Sequence, residues 1–214
     1  MKTFHLVSDI IYRGLSMAKP IIKKIISGKY KGKTLLLPSM VTTRSSKNIV
    51  LESFFNTIQF EIIDANFVEL FSGSGSIGLE ALSRGAKKIF FMERDREALK
   101  VLSQNIEQTD PSACEIFRGD TFANIGGVVK KLKATGEDAY LYIDPPFSIR
   151  EGHEDIYVQM IKLIEDLPEE VVKMIIVEQM TGLEMPEALG AFKQMKFKKF
   201  GKTSLRYYLP ASVV

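Results

Sequence analysis

The chain is poor in the residues that build metal centres and covalent frameworks. Its 214 residues include one cysteine, Cys114, and two histidines, His5 and His153. A lone cysteine excludes a disulfide framework and a cysteine-rich zinc site. Two histidines far apart in sequence argue against a histidine-based metal centre. No apolar run approaches the roughly 20 residues that a membrane-spanning helix needs. Asp9 and Arg13 stand where a secretory signal would place its apolar stretch, so a soluble, cytoplasmic protein is expected. Acid is missing from both ends. Residues 1–50 hold ten Lys and Arg against Asp9 alone, for +9, and residues 188–214 hold six against none, for +6. The middle, 51–187, carries −12, which hides the asymmetry inside a net charge of +3.

A 45% hydrophobic and 26% charged composition is that of a globular protein, and the length suits one domain with a small appendage. The division expected is a basic N-terminal extension over 1–45 and a main domain over 46–214. Basic ends suit a phosphate backbone if they converge, and a solvated lysine surface if they do not. The candidate backbone contacts are Lys29, Lys31, Lys33 and Arg44 at one end, and Lys198, Lys199 and Lys202 at the other.

Residues 1–20 have loosely helical spacing up to Pro20, and 21–38 read as short strands punctuated by Gly28 and Gly32. A polar loop over 39–47 and a helix over 48–60 follow. From residue 66 short apolar runs alternate with helical segments. The runs lie at 67–71, 89–92, 115–117, 140–143 and 174–177. The helices lie near 76–84, 95–107, 122–133 and 154–166. Such alternation, with strands apolar on both sides, means a doubly wound, mostly parallel α/β sheet. Residues 192–209 read as an antiparallel hairpin turning at Gly201, at a sheet edge.

Four motifs carry chemistry. Glu69-Leu70-Phe71-Ser72-Gly73-Ser74-Gly75 follows a strand and opens a helix. Its glycines allow a tight turn and a close approach to a ligand, although such a turn also serves purely structurally. Glu93 ends the next strand, 20 residues past Gly73, where an acid can accept from both hydroxyls of a ribose. Asp120, in Gly119-Asp120-Thr121-Phe122, is placed either to accept from an adenine amino group or to cap a helix. In Asp144-Pro145-Pro146-Phe147, two prolines end a strand's ladder and stiffen the chain. The Asp144 side chain and Pro145 carbonyl can then accept from one planar amino group, with Phe147 offering a face to a base.

This constellation resembles the class I S-adenosylmethionine-dependent methyltransferases that act on exocyclic amines. More closely, it resembles the RsmD family of 16S rRNA (guanine-N2)-methyltransferases. The resemblance spans about residues 22 to 209. It rests on Ile25-Ile26-Ser27-Gly28-Lys29-Tyr30-Lys31-Gly32, Thr43-Arg44, Phe54-Phe55-Asn56, Leu70 to Gly75, Gly78 to Ala86, and the Asp-Pro-Pro-Phe motif. Ser45 stands where the family usually has proline, and Ile49 and Leu51 stand where it usually has arginines.

The resemblance implies a seven-stranded Rossmann-like sheet and S-adenosylmethionine as cofactor. Glu69, Phe71, Gly73 and Gly75 would line its methionine end, Glu93 with Arg94 the ribose, and Asp120 with Thr121 the adenine. Asp144, Pro145, Pro146 and Phe147 would form the catalytic motif. No metal is implied, and the partner would be ribosomal RNA or a small-subunit assembly particle, met by a monomer. Competing readings are an amino-methyltransferase for DNA adenine or for protein glutamine, where asparagine usually opens the motif. A nicotinamide-dependent oxidoreductase explains the glycines but leaves Asp144 to Phe147 unexplained. A non-enzymatic RNA-binding protein leaves both motifs idle.

Overall fold

The computed structural model describes residues 21–38, 48–146 and 156–213. The expected N-terminal helix, the 39–47 loop with Arg44, and Phe147 lie outside those residues. An antiparallel hairpin, β1 (Ile22–Lys24) and β2 (Thr34–Leu36), comes first. Helix α1 (Asn48–Thr57) follows it. The alternating core is β3 (Asn66–Leu70), α2 (Ser76–Ser83), β4 (Lys88–Glu93), α3 (Arg96–Glu107), β5 (Cys114–Arg118), α4 (Thr121–Thr135), β6 (Ala139–Ile143), α5 (Ile156–Glu165) and β7 (Val172–Met180). The chain ends with β8 (Ala188–Leu189), β9 (Phe192–Phe200) and β10 (Thr203–Pro210).

The main sheet runs β5-β4-β3-β6-β7-β10-β9-β8. Strands β3 to β7 are parallel; the rest join antiparallel. The sheet therefore has eight strands rather than seven. The addition is the two-residue β8, which pairs with the start of β9. Gly190, at φ +56, turns the chain so tightly that a Cβ there would sit 2.6 Å from the Glu165 carbonyl oxygen. The C-terminal hairpin turns at Gly201 as expected, but it lies inside the sheet's antiparallel flank, with β8 as the outer edge.

Period-two alternation divides the core. Phe67, Ile89, Phe91, Tyr140, Tyr142 and Ile176 face one side, with α1, α2, α3 and the hairpin. Val68, Phe90, Met92, Leu141, Ile175 and Val177 face the other, with α4 and α5. Local signals set the helices. Asp95 caps α3 by accepting from the Ala98 amide at 2.8 Å. Leu99, Leu102 and Ile106 then form its buried stripe. Burial of each such side chain is worth about 1.5–3 kcal/mol.

The hairpin is stitched to α2. The buried Glu80 carboxylate accepts from the Ile26 and Ser27 amides at 2.7 and 3.1 Å, and from Arg84 Nε at 2.7 Å. The Lys29 amide donates to the Ser83 carbonyl at 2.7 Å. Asn105, wholly buried, links the Leu36 backbone to the Ser74 carbonyl with 2.9 Å hydrogen bonds. Gly28, at φ +82, makes this approach possible, since a Cβ there would lie 1.8 Å from the Ser83 carbonyl oxygen. Gly32 has a similar φ, +84, but open space around it. Gly32→Ala should therefore cost only the left-handed strain, about 1–2 kcal/mol. Gly28→Ala should cost clearly more, because the hairpin must lift from α2. Urea unfolding of both variants checks this; equal losses would contradict it.

Candidate active site

The candidate site lies at the C-terminal ends of β3, β4, β5, β6 and β7, where doubly wound sheets bind ligands. The glycine turn joins β3 to α2. Ser72 prolongs the pairing with β4, its amide donating to the Met92 carbonyl at 2.9 Å and its hydroxyl accepting from the Met92 amide at 2.9 Å. Phe71 sits at φ +58, a left-handed conformation costing a non-glycine residue about 1–2 kcal/mol. Gly73 and Gly75 are also left-handed, at +53 and +74. They differ in surroundings. A Cβ on Gly73 would meet nothing within 4 Å, whereas one on Gly75 would lie 2.3 Å from Leu102 Cδ1. Gly73 thus keeps the turn open to a ligand, and Gly75 keeps α3 close.

Glu93 is tied to this turn. One carboxylate oxygen accepts from the Gly73 amide at 2.7 Å. The other accepts from the Arg94 and Asp95 amides at 2.8 and 2.7 Å. Asp120 caps α4 through the Ala123 amide at 3.1 Å. Its second oxygen lies 3.9 Å from Arg94 Nη1. The capping role is therefore real, and the carboxylate is half-exposed beyond the end of β5. Thr121, the first residue of α4, is buried. Phe71 meets Phe122 edge-on at 5.7 Å, both packed against the core on the side of α4 and α5. A glycine turn with open space at Gly73 and acids at the ends of neighbouring strands fit a nucleoside-bearing cofactor.

The Asp144-Pro145-Pro146 end is a cluster of acids on one sheet face. Glu69 and Tyr142 are register partners, as are Ile143 and Val177, so Asp144 and Glu178 follow in the next row. Tyr142 Oη donates to Glu178 Oε2 at 2.6 Å. Glu69 accepts from the Gly78 and Ile77 amides at 2.8 and 3.4 Å. Burial pushes the Glu69 carboxyl up to about 8, against those two hydrogen bonds and Lys23. Burial, then Glu178 and Glu69, hold Asp144 well above the ordinary carboxylate range, while Lys23 works the other way. Pro145 is buried beside it.

Sequence reasoning passed over Glu178, Tyr142 and Lys23. The available signal was an acid inside the apolar run Ile175-Ile176-Val177-Glu178. The lysines it named are scattered. Lys29 and Lys31 are exposed in the hairpin turn, which is anchored at Ser83, the end of α2 remote from the site. Lys33 donates to the Gln108 carbonyl. Lys198 donates to Ser53 Oγ at 2.9 Å and lies 3.3 Å from Thr57 Oγ1. Burial, then Lys196, push its pKa down. Lys199 and Lys202 are exposed. Among the described residues no group of His, Cys, Asp and Glu is arranged to hold a metal ion, and no helix is long and apolar enough to cross a membrane.

The family model described as conserved hypothetical protein 95 matches residues 23–209. Ribosomal RNA small subunit methyltransferase D of Escherichia coli strain K12 is 28% identical over 188 residues, covering 86% of this chain and 88% of that protein. A Bacillus subtilis protein provisionally named rRNA methyltransferase YlbH is 28% identical over 186 residues, covering 86% of this chain and 97% of its own. A solved Escherichia coli structure, provisionally named methyltransferase yhhF, is 28% identical. It superposes with a TM-score of 0.68, covering 88% of this chain and 97% of that one.

Because Glu69 folds with its proton held to about 8 but unfolds with a value near 4.5, the folded state binds more protons between those pH values. Its contribution to stability is therefore complete below about 4.5 and falls as pH rises through about 8. Glu69→Gln should gain stability relative to the native chain steadily from pH 5 to pH 8. Parallel stability curves for the two proteins across that range would contradict the assignment.

Proposed function

Since the chain belongs to the RsmD methyltransferase family, the one described as conserved hypothetical protein 95, we propose that it transfers a methyl group from S-adenosylmethionine to the exocyclic amine of a guanine in small-subunit ribosomal RNA. The observation that carries this reading is Asp144-Pro145-Pro146 at the end of β6, one strand from the glycine turn at the end of β3. On this reading the protein works in the cytoplasm as a monomer, on naked RNA or an assembling particle. The basic extension read over 1–45 includes the hairpin that packs into the core of the methyltransferase domain.

The chemistry supplied by the cofactor is a methyl carbon already on a sulfonium, so departure of the thioether needs neither a proton nor a metal. Glu69, Phe71, Gly73 and Gly75 would hold its methionine end. Glu93, aided by Arg94, would hold the ribose, and Asp120 with Thr121 the adenine. The remaining work is alignment of an amine lone pair with that carbon, after which the methylated nitrogen sheds one proton to Asp144 or to solvent. A guanine amine is conjugated with its ring and weakly nucleophilic. The Asp144 carboxylate and the Pro145 carbonyl would accept its two hydrogens, localise density on nitrogen and fix its orientation. Proline at 146 leaves no amide hydrogen there to compete for those acceptors. A base in a duplex cannot reach such a site, so the target is unpaired or flipped, with Phe147 as its stacking face.

Support for an RNA partner comes from the flank beside the site. Glu178, Leu205 and Lys198 form one row across β7, β10 and β9. Next to it, α1 and β9 line an open cavity of about 510 Å³ with Lys196 and Lys198 in its wall. Exposed Lys199 and Lys202 lie at the same end of β9. Arg44 and the exposed hairpin lysines Lys29 and Lys31 would extend the grip along the backbone, while Lys33 is taken by the Gln108 carbonyl.

Two measurements test this. Radiolabelled S-adenosylmethionine and small ribosomal subunits, or their naked RNA, from a strain lacking the gene should yield labelled N2-methylguanine. Label on DNA or on protein glutamine instead would overturn the substrate. Asp144→Ala should lose at least about 100-fold in turnover, as expected for removal of a positioning and charge-stabilising group, while cofactor affinity changes little. Unchanged turnover would sink the mechanism.

A further inference from the structure

Lys23 is the unexpected member of the acid cluster. It stands on β1 in a lysine-rich stretch that reads as solvated surface. Strand alternation puts it on the same side as Ile25, which is 2% exposed, while its neighbours Ile22 and Lys24 face solvent. Its ammonium lies 3.4 Å from Ser76 Oγ, on the first residue of α2. The next two residues of that helix, Ile77 and Gly78, donate to Glu69. The hairpin therefore runs along α2 with Lys23 at the site end and the Lys29 turn at the other, roughly 10 Å away for a helix of this length.

The charges facing this point come from every side. Glu69 comes from β3, Asp144 follows β6 and Glu178 lies on β7, with Glu80 on α2 further along the hairpin. Tyr142 binds Glu178, and Tyr157 on α5 has its hydroxyl under the influence of Asp144. Helix α1 packs on Tyr142 through Phe54, with ring centroids 5.1 Å apart. Its buried residues are Val50, Leu51, Phe54 and Phe55, so that face delivers no cation. Lys23 favours the charged form of both Glu69 and Asp144, while burial pushes its own ammonium down and the four acids push it back up. A carboxylate accepts from an amine more strongly than a carboxylic acid does, and buried carboxyls crowded by one another resist deprotonation.

We propose that Lys23 is a positioning residue for methyl transfer: its ammonium, delivered beside Ser76 and the acid cluster by the N-terminal hairpin, favours the carboxylate form of Asp144, the stronger acceptor for the target amine. The transfer clause rests on the methyltransferase reading above; the electrostatic clause does not. The function of Lys23 is thus internal to the protein. Its chain neighbours Lys24 and Lys29 point elsewhere.

The first test needs neither cofactor nor RNA. The protein is labelled with carboxyl-13C aspartate, and Asp144→Asn identifies the Asp144 signal. Its titration is followed in the native chain, Lys23→Met, Lys23→Gln and Lys23→Arg. Neutral side chains should raise the Asp144 midpoint by about one pH unit or more, a tenfold gain in proton affinity, as removal of a neighbouring charge does. Arginine should restore most of the native midpoint. Lys23→Gln serves if the methionine variant folds poorly. An unmoved midpoint in both neutral variants would overturn the proposal.

The second test uses the enzyme assay at saturating cofactor. In Lys23→Met, the acid limb of kcat should move to higher pH by the same interval, with near-native turnover recovered at alkaline pH. The KM for S-adenosylmethionine should stay within about twofold, since a residue acting through Asp144 alters turnover more than binding. A raised KM with an unmoved limb would make Lys23 a cofactor ligand instead, and would overturn the proposal. If the native chain methylates no RNA, the functional reading fails while the titration still decides this one.

Discussion

The turn from β3 into α2 and the short connection after β4 expose amide hydrogens that no strand or helix takes, and two acidic side chains take them. Glu93 accepts from Gly73, Arg94 and Asp95; Glu69 accepts from Ile77 and Gly78. Without these acceptors the turn would bury unpaired donors, each costing about 1–3 kcal/mol. The acids are therefore required by the backbone before any ligand is considered. A carboxylate offers about four lone-pair sites. Glu93 has committed three, so a ribose must share its oxygens with the loop. Binding of a nucleoside would then be coupled directly to the geometry of residues 73–75.

The same economy explains the hairpin. Placing Glu69, Asp144 and Glu178 on one face of a buried sheet puts like charges close together where water is scarce. Such an arrangement needs protons or a cation. The helix covering Tyr142 is apolar on its buried face, so the cation comes from the preceding segment. Its route is fixed by ordinary packing. Ile25 and Leu35 enter the core, and Glu80 holds the Ile26 and Ser27 amides. Once that docking is made, strand alternation leaves Lys23 facing Ser76 and the acids.

The parallel strands were readable because their apolar runs are nearly continuous, which only burial on both sides produces. The helix caps at Asp95 and Asp120 were readable because capping is local chemistry. The glycine turn and Asp144-Pro145-Pro146 were readable for the same reason. Glu178 and Tyr142 were not. In a strand apolar on both faces, the face of one polar residue becomes meaningful only when the register against its neighbours is known. Lys23 was hidden differently. It sits among Lys24, Lys29, Lys31 and Lys33, and contiguity suggested one solvated patch. The fold instead separates them along the length of α2. The eighth strand escaped because two residues carry no periodicity.

Charge counts also change meaning once partners are known. The −12 of residues 51–187 suggests an acidic face between basic ends. Yet Glu69, Glu80, Glu93, Asp95 and Asp120 all accept from backbone amides, and Glu69 and Glu80 are buried. These acids stabilise turns and helix starts rather than project a field outward. On the basic side, Lys23 is turned inward, Lys33 is bonded to the Gln108 carbonyl and Lys198 to Ser53. The net charge therefore overstates both the acid and the base presented to a partner. An RNA backbone would meet the exposed remainder, above all Lys199 and Lys202 beside the site. The inward lysine would act on the chemistry, and the outward ones on the grip.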